Sequence, residues 1–209
     1  MTGTSGGLVP LSRDAVLAAL VERLSAQPGT TRICIDGAPC TEPESWTADL
    51  VEALRPLGRP VAHIRAETFW RDASLRLEYG REDVDAYLTW LDAAALRREA
   101  LDPVLSTGRY LPSLRDPVTN RATRAPEQNL GERGFLIVSG GLLGGLGLPF
   151  DYTVHLSASA AALARRTPPD KAWTLAALAR YDAEVGPANQ ADVVVRVDDP
   201  RHPAVRGLT

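Results

Sequence analysis

The chain has 209 residues, 44% apolar and 23% charged, with a formal net charge of −3 at pH 7. That length suits one compact domain with a core of its own, and the composition is that of a globular chain rather than a disordered one. The slight acidic surplus argues against a general nucleic-acid binder, which carries a basic excess, and no apolar run approaches the roughly 18 residues a bilayer crossing needs.

The opening "MTGTSGGLVPLSRD" lacks the basic-then-apolar layout of a secretory leader. Residues 1–10 are read as a flexible tail before a single domain at 11–209. Ser12 is an N-cap for a helix whose apolar positions Val16, Leu17, Leu20, Val21 and Leu24 recur at helical spacing until Pro28-Gly29 stops it. "TRICID" (31–36) is a short buried strand, "SWTADLVEALRPLG" (45–58) a helix and "PVAHIRA" (60–66) a second strand. Strand, loop, helix and strand in this span form a βαβ unit, so the sheet is expected to be mostly parallel. Residues 83–105 carry a long helical pattern with a break near Asp92, and 108–126 hold proline and arginine without periodicity. Further strands are expected at 134–141, 151–159 and 191–200, with helices from 159 and over 170–185. The fold class is α/β, a three-layer sandwich.

Cys34 and Cys40 are spaced C-x5-C, which is neither a CxxC redox pair nor a zinc pattern. They are read as reduced thiols of a cytoplasmic protein. His63 and His155 fall inside strands and are expected in the core. The glycine-rich "SGGLLGGLGLPF" (139–150) does not match a dinucleotide fingerprint, and no spacing fits a hydrolase triad.

The loop after the first apolar strand, "GAPCTEPES", holds the chemical question. A phosphate-binding loop reads G-x-x-x-x-G-K-[ST]: backbone N–H groups cradle phosphates, the lysine reaches the outer oxygens and the hydroxyl holds Mg²⁺. Gly37 occupies the first glycine position and Ala38, Pro39, Cys40 and Thr41 the variable ones. Glu42, Pro43 and Glu44 then stand where glycine, lysine and Ser/Thr belong, with Ser45 one residue late. Pro43 brings neither an N–H nor a charge. Two unit charges about 4 Å apart repel by about 4 kcal/mol at an effective dielectric of about 20, and the helix dipole returns only about 0.3–1 kcal/mol. The same residues also make an ordinary helix start, with proline in the first turn and acids at the positive end.

Taken in order, these segments resemble the uridine kinase-like branch of the phosphate-loop (P-loop) kinases over roughly residues 31–203. "IDGAPCTEPESWTADL" is similar to the family's I-D-G-x-x-x-x-G-K-T/S-T-x-A-x-x-L, and "AETFWRDASLRLEYGREDVDAY" to its D-x-F-Y-R strand end and acceptor region. "LRDPVTNRATRA" resembles the Y-D-x-V-T-H-R-like segment, and "ARYDAEVGPANQADVVVRVDDPRHP" the closing R-Y…P…A-D-x-V-V…D-P. The resemblance implies a P-loop fold and ATP with Mg²⁺ as cofactors. It also implies a nucleoside or nucleotide as small-molecule ligand, a short lid near 165–173 carrying Arg165 and Arg166, and a homo-oligomer as one option.

It implies roles for individual residues as well. Glu67 stands for the catalytic aspartate, so a carboxylate that could act as general base is kept on a longer arm. Phe69 and Tyr79 fall where a base could stack, Glu82 and Asp85 near the sugar-binding acid. Arg115 and Asn120 replace the acceptor-site tyrosine and histidine, and Arg121 closes the "DPVTN" segment. Ser139 stands where an acid follows the third strand, removing a metal anchor. The residues leave two expectations open: a nucleoside kinase-like protein with a degraded ATP site, weak or inactive as a phosphotransferase and binding a nucleoside, nucleotide or partner, or an active uridine kinase with an atypical loop.

Overall fold

The computed structural model describes residues 7–208. Of the expected tail, residues 1–6 lie outside the described residues, whereas Val9–Pro10 form β1, at the edge of the main sheet. Helix α1 (Arg13–Ser25) starts on the Ser12 hydroxyl, which accepts from the Ala15 N–H. There follow β2 (Thr31–Gly37), α2 (Pro43–Leu54) and β3 (Val61–Arg65).

The helical pattern of 83–105 breaks near Asp92, as expected, and divides further into short pieces. After α3 (Ala73–Arg76) come α4 (Val84–Leu88), α5 (Ala93–Leu96), a π-turn at Arg97–Leu101 and α6 (Pro103–Ser106). The physical reason lies at Asp92. Its side chain caps α5 by accepting from Ala95 N–H, while its own N–H donates to Phe69 O and Leu91 bridges to Trp70. The backbone between α4 and α5 is thereby pinned to the strand end at 66–70.

The hairpin pair β4 (Arg109–Tyr110) and β5 (Gln128–Asn129) follows, then β6 (Phe135–Gly140), β7 (Tyr152–Ser157), α7 (Ala160–Arg166), α8 (Thr174–Val185), α9 (Pro187–Gln190), β8 (Val193–Arg196) and β9 (Ala204–Arg206). The seven-stranded sheet runs β1-β9-β8-β7-β2-β6-β3. The five strands from β8 to β3 pair in parallel, and β9 pairs antiparallel with both β8 and β1. The expected three-layer α/β sandwich with a mostly parallel sheet is thus what forms.

Strand β2 is central and buried at every residue, as a parallel strand covered on both faces must be. Its side chains alternate between two cores. Ile33 and Ile35 join Leu20, Leu24, Trp46, Leu50 and Leu54 of α1 and α2, while Cys34 joins Leu136, Val138, Ile64, Phe69 and Leu96 on the other face. Each such buried aliphatic or aromatic side chain contributes roughly 1.5–3 kcal/mol. Arg32 locks β2 to the start of β7. Its backbone N–H and its Nε donate to Asp151 Oδ2 at 2.8 and 3.0 Å, and Nη2 donates to Oδ1 at 2.8 Å. This layout sets the carboxyl ends of β2, β6, β3 and β7 side by side, where ligands bind in open α/β sheets.

Candidate functional site

At the end of β2 the chain turns at Gly37. A Cβ there would lie 2.5 Å from Thr41 Oγ1 and 2.9 Å from Leu156 Cβ, so only glycine fits. Pro39–Thr41 form one 3-10 turn, and Glu42 then takes the left-handed conformation at φ 61° and ψ 52° before α2 begins at Pro43. A glycine at that position would carry this backbone without strain; Glu42 holds it as an exposed side chain that makes no capping bond.

Two of the turn's backbone donors are used within it. Thr41 N–H bonds Ala38 O at 2.7 Å, Glu42 N–H bonds Pro39 O at 3.1 Å, and Thr41 Oγ1 donates to Ala38 O at 2.7 Å. Pro39 and Pro43 have no N–H to offer. Ser45 Oγ accepts from Arg13 Nη2 at 3.0 Å, and Arg13 also pairs with Asp49 at 2.6 Å, so this hydroxyl is held toward α1.

Beside the loop, Arg65 at the end of β3 donates to Glu44 Oε1 at 2.7 Å and lies 3.8 Å from Glu67 Oε2. Glu44, Arg65 and Glu67 thus form one acid-base-acid row. Glu67 Oε2 is buried and makes no hydrogen bond. Burial raises the Glu67 pKa above the ordinary carboxylate value; the negative charge of Glu44 adds to this, while a bond to its own backbone and Arg65 oppose it. Tyr87 on α4 is pushed up to about 12, by burial first and by Glu67 second. Ser139, at the end of β6, has its Oγ 2.7 Å from His63 Nε2. His63 itself is exposed on β3 rather than in the core.

The remaining expected site residues scatter. Phe69 is fully buried in the second core and has no face to offer a ligand, whereas Tyr79 is 75% exposed. Glu82 is exposed. Asp85 pairs with Arg180 of α8. Arg115 and Asn120 are tied into the fold: Arg115 Nη1 donates to Asn120 O at 2.6 Å and pairs with Asp72 at 3.0 Å, while Asn120 Oδ1 accepts from Ala73 N–H at 3.0 Å. Together they fasten the 114–123 hairpin to α3. Arg121 is exposed. In the lid, Arg166 Nη1 donates to Val197 O at 2.8 Å, which turns it back to the end of β8, and Arg165 is exposed. Cys40 is half-buried, and burial pushes the Cys34 thiol up.

Two features escaped the sequence reading. The first is an aromatic row in which Trp70 meets Trp90, Trp90 meets Tyr87, and Tyr87 meets Trp173, each edge to face at about 5 Å. The buried Arg76 guanidinium stacks over Trp70 and Trp90 at 5.0 and 4.8 Å. With the Asp85–Arg180 pair, this row clasps α4 to the lid hairpin. The second is a buried group around Asp36, taken up below.

Several of the residues present would not serve ATP and Mg²⁺. The amides of Thr41 and Glu42 are spent inside the loop, Pro43 gives no charge, Glu44 is an anion paired to Arg65, and Ser139 is engaged by His63. Among the described residues no group of three or more His, Cys, Asp or Glu side chains is placed to hold a metal ion. No helix among the described residues is long and apolar enough to cross a membrane.

No family model matches the chain, and no curated protein matches it in sequence. Solved structures do match in shape. A possible uridine kinase from Bacillus stearothermophilus superposes with a TM-score of 0.71 at 18% identity, covering 87% of this chain and 97% of that one. A candidate fructose transport system kinase from Silicibacter sp. TM1040 gives 0.52 at 20% identity over 86% of this chain and 92% of its own. The YGR205w protein gives 0.54 at 10% identity over 91% and 98%. The chain therefore has the fold of the P-loop kinases, as its sequence resemblance implied; identities this low speak for the fold alone.

Proposed function

We propose that this chain is a uridine kinase-like protein whose ATP site is degraded. It would be weak or inactive as an ATP-dependent phosphotransferase and bind a nucleoside or similar small molecule near Glu67. The observation that carries this reading is the loop at 37–45. A phosphate cradle works by aiming free backbone N–H groups and a lysine at the anion. Here two of those N–H groups close on the loop's own carbonyls, two positions are proline, and the helix opens on Glu42 and Glu44. Arg65 supplies one cation, but Glu44 and Glu67 already share it.

One observation favours the second reading, an active nucleoside kinase with an atypical loop. Glu67 combines a buried, unpartnered oxygen with a pKa raised by burial, the setting of a carboxyl tuned for proton transfer. A neutral hydroxyl of a nucleoside could meet that oxygen whether or not a phosphate donor binds. Calorimetry with Mg-ATP and with uridine, each alone, separates the readings: uridine binding without ATP binding supports the first, and micromolar binding of both supports the second.

A further inference from the structure

Asp36, at the end of β2, is buried with 2% of its side chain exposed. Its carboxylate accepts three hydrogen bonds: Leu143 N–H to Oδ1 at 3.0 Å, Tyr181 OH to Oδ2 at 2.9 Å and His155 Nδ1 to Oδ2 at 2.8 Å. Tyr181 is engaged twice, since its hydroxyl also accepts from Gly144 N–H at 2.7 Å. Burial first, and Asp36 second, raise the Tyr181 pKa, so its hydroxyl keeps the proton it donates.

The bond to the Asp36 carboxylate places a proton on His155 Nδ1, so in the neutral ring Nε2 is the acceptor. Nε2 has no protein partner among the described residues. Nε2 is not fully enclosed: the His155 side chain keeps 10% exposure, and the ring borders two cavities, of about 320 and 260 Å³. The larger lies between the end of β7 and the α7–α8 hairpin. Its walls include Leu142, Leu156, Leu163, Leu175 and Leu178, and the charge on its lining is the exposed Asp182 rather than any Lys or Arg. Of the 37–45 loop only Ala38 lines it, and neither Glu67 nor either lid arginine does.

We propose that this cavity, which the 37–45 loop borders through Ala38 alone, is a binding site for a small, largely apolar organic molecule that carries an N–H or O–H donor and no negative charge. His155 Nε2 accepts the ligand's proton-bearing group, Asp36 fixes the imidazole's tautomer and orientation, and the leucine walls cover the apolar body. The size and character match ordinary small-molecule sites, which are apolar with a few placed polar groups. A phosphate-bearing ligand is disfavoured, because the lining offers no cation and Asp182 stands among it. The site does not depend on the reading of the ATP loop.

The test is ¹⁵N-imidazole NMR of the full chain, titrated with indole, with 1-methylindole and with inorganic phosphate. Indole should shift the His155 Nε2 resonance saturably, and 1-methylindole, which lacks the donor, should bind roughly tenfold more weakly, the factor one neutral hydrogen bond supplies. Phosphate should leave the resonance unmoved. Because His155→Phe would strip a donor from buried Asp36 and could unfold the protein, the blocking variant is Ala179→Trp, at an exposed position of the lining; it should abolish the indole shift while leaving the Asp36-bonded Nδ1 signal in place. The proposal is overturned if indole gives no saturable shift, if the two indoles act alike, if phosphate competes, or if Ala179→Trp changes nothing.

Discussion

Replacing Glu42 by glycine and, separately, by alanine would isolate the strain in the loop from its charge. Glu42 sits at φ 61° and ψ 52°, is exposed, and makes no capping bond. A left-handed backbone costs a residue with a Cβ about 1–2 kcal/mol, and the following Pro43 further disfavours a compact conformation before it. Glycine relieves that cost but raises the entropy of the unfolded chain by about 0.5–1 kcal/mol relative to alanine. Both variants lose the same interaction of a carboxylate with the α2 dipole, about 0.3–1 kcal/mol. Glu42→Gly should therefore be more stable than Glu42→Ala by roughly 0.5–1 kcal/mol, which in a chain of this size separates their melting temperatures by about 1–4 °C. Scanning calorimetry of the two variants side by side reads that gap. Equal melting temperatures, or alanine above glycine, would refute the idea that the glycine position of the loop keeps its shape under a strained glutamate. Neither variant should gain ATP affinity, because Pro43 and Glu44 remain.

The triple variant Glu42→Gly/Pro43→Lys/Glu44→Thr restores charge, donor and hydroxyl together and should bind Mg-ATP at least about tenfold more tightly than the parent, about 1.4 kcal/mol, by calorimetry; no gain would contradict the electrostatic account of the loop. Glu67→Gln should remove a pH dependence of stability. The raised folded-state pKa means the folded chain holds this proton more tightly than the unfolded one, so the parent loses stability relative to the variant as pH rises from about 4.3, the ordinary glutamate value, through the raised one. Urea melts of both proteins across that range check the sign, and parallel curves would refute it. Asp151→Ala should cost about 2–3 kcal/mol, less than a fully buried pair, because Asp151 is 35% exposed while its partner Arg32 is buried. Burial alone would raise the Asp151 pKa, but the Arg32 bonds outweigh it and hold it low. The stabilisation is therefore present above the ordinary aspartate value and lost as pH falls through the lowered one, so the gap between parent and Asp151→Ala should close in acid; a gap that persists there refutes the pairing.

The parts of the fold visible in the sequence are those set by local pattern. The short apolar runs 33–35 of β2 and 135–138 of β6 mark parallel strands buried on both faces, and the Ser12 cap and the spacing of α1 mark a helix that forms where expected. The helical pattern over 83–105 and its break near Asp92 were legible, but not what holds the break, which is set from a distance by Phe69 O and Trp70. At the loop, the altered residue types at 42–44 were legible, but the inward closure of the Thr41 and Glu42 amides and the Arg65 bridge were not, since both are matters of backbone path. Arg65 carried a signal that could have found it: it lies two residues before Glu67, at the end of the strand that must face the loop. For Phe69 the sequence left ligand and core open, because an aromatic beside the site reads alike either way, and its complete burial puts it in the core. The Asp36–His155–Tyr181 group could not be seen at all, because 119 and 145 residues separate its members along the chain.

The account's central claim is that the crook after β2 no longer accepts a triphosphate, and isothermal calorimetry of the unmodified protein with Mg-ATP tests it most directly. No saturable heat is expected at micromolar concentrations of nucleotide. A micromolar dissociation constant that Glu44→Ala or Arg65→Ala alters would place ATP against residues 37–45 and contradict the claim.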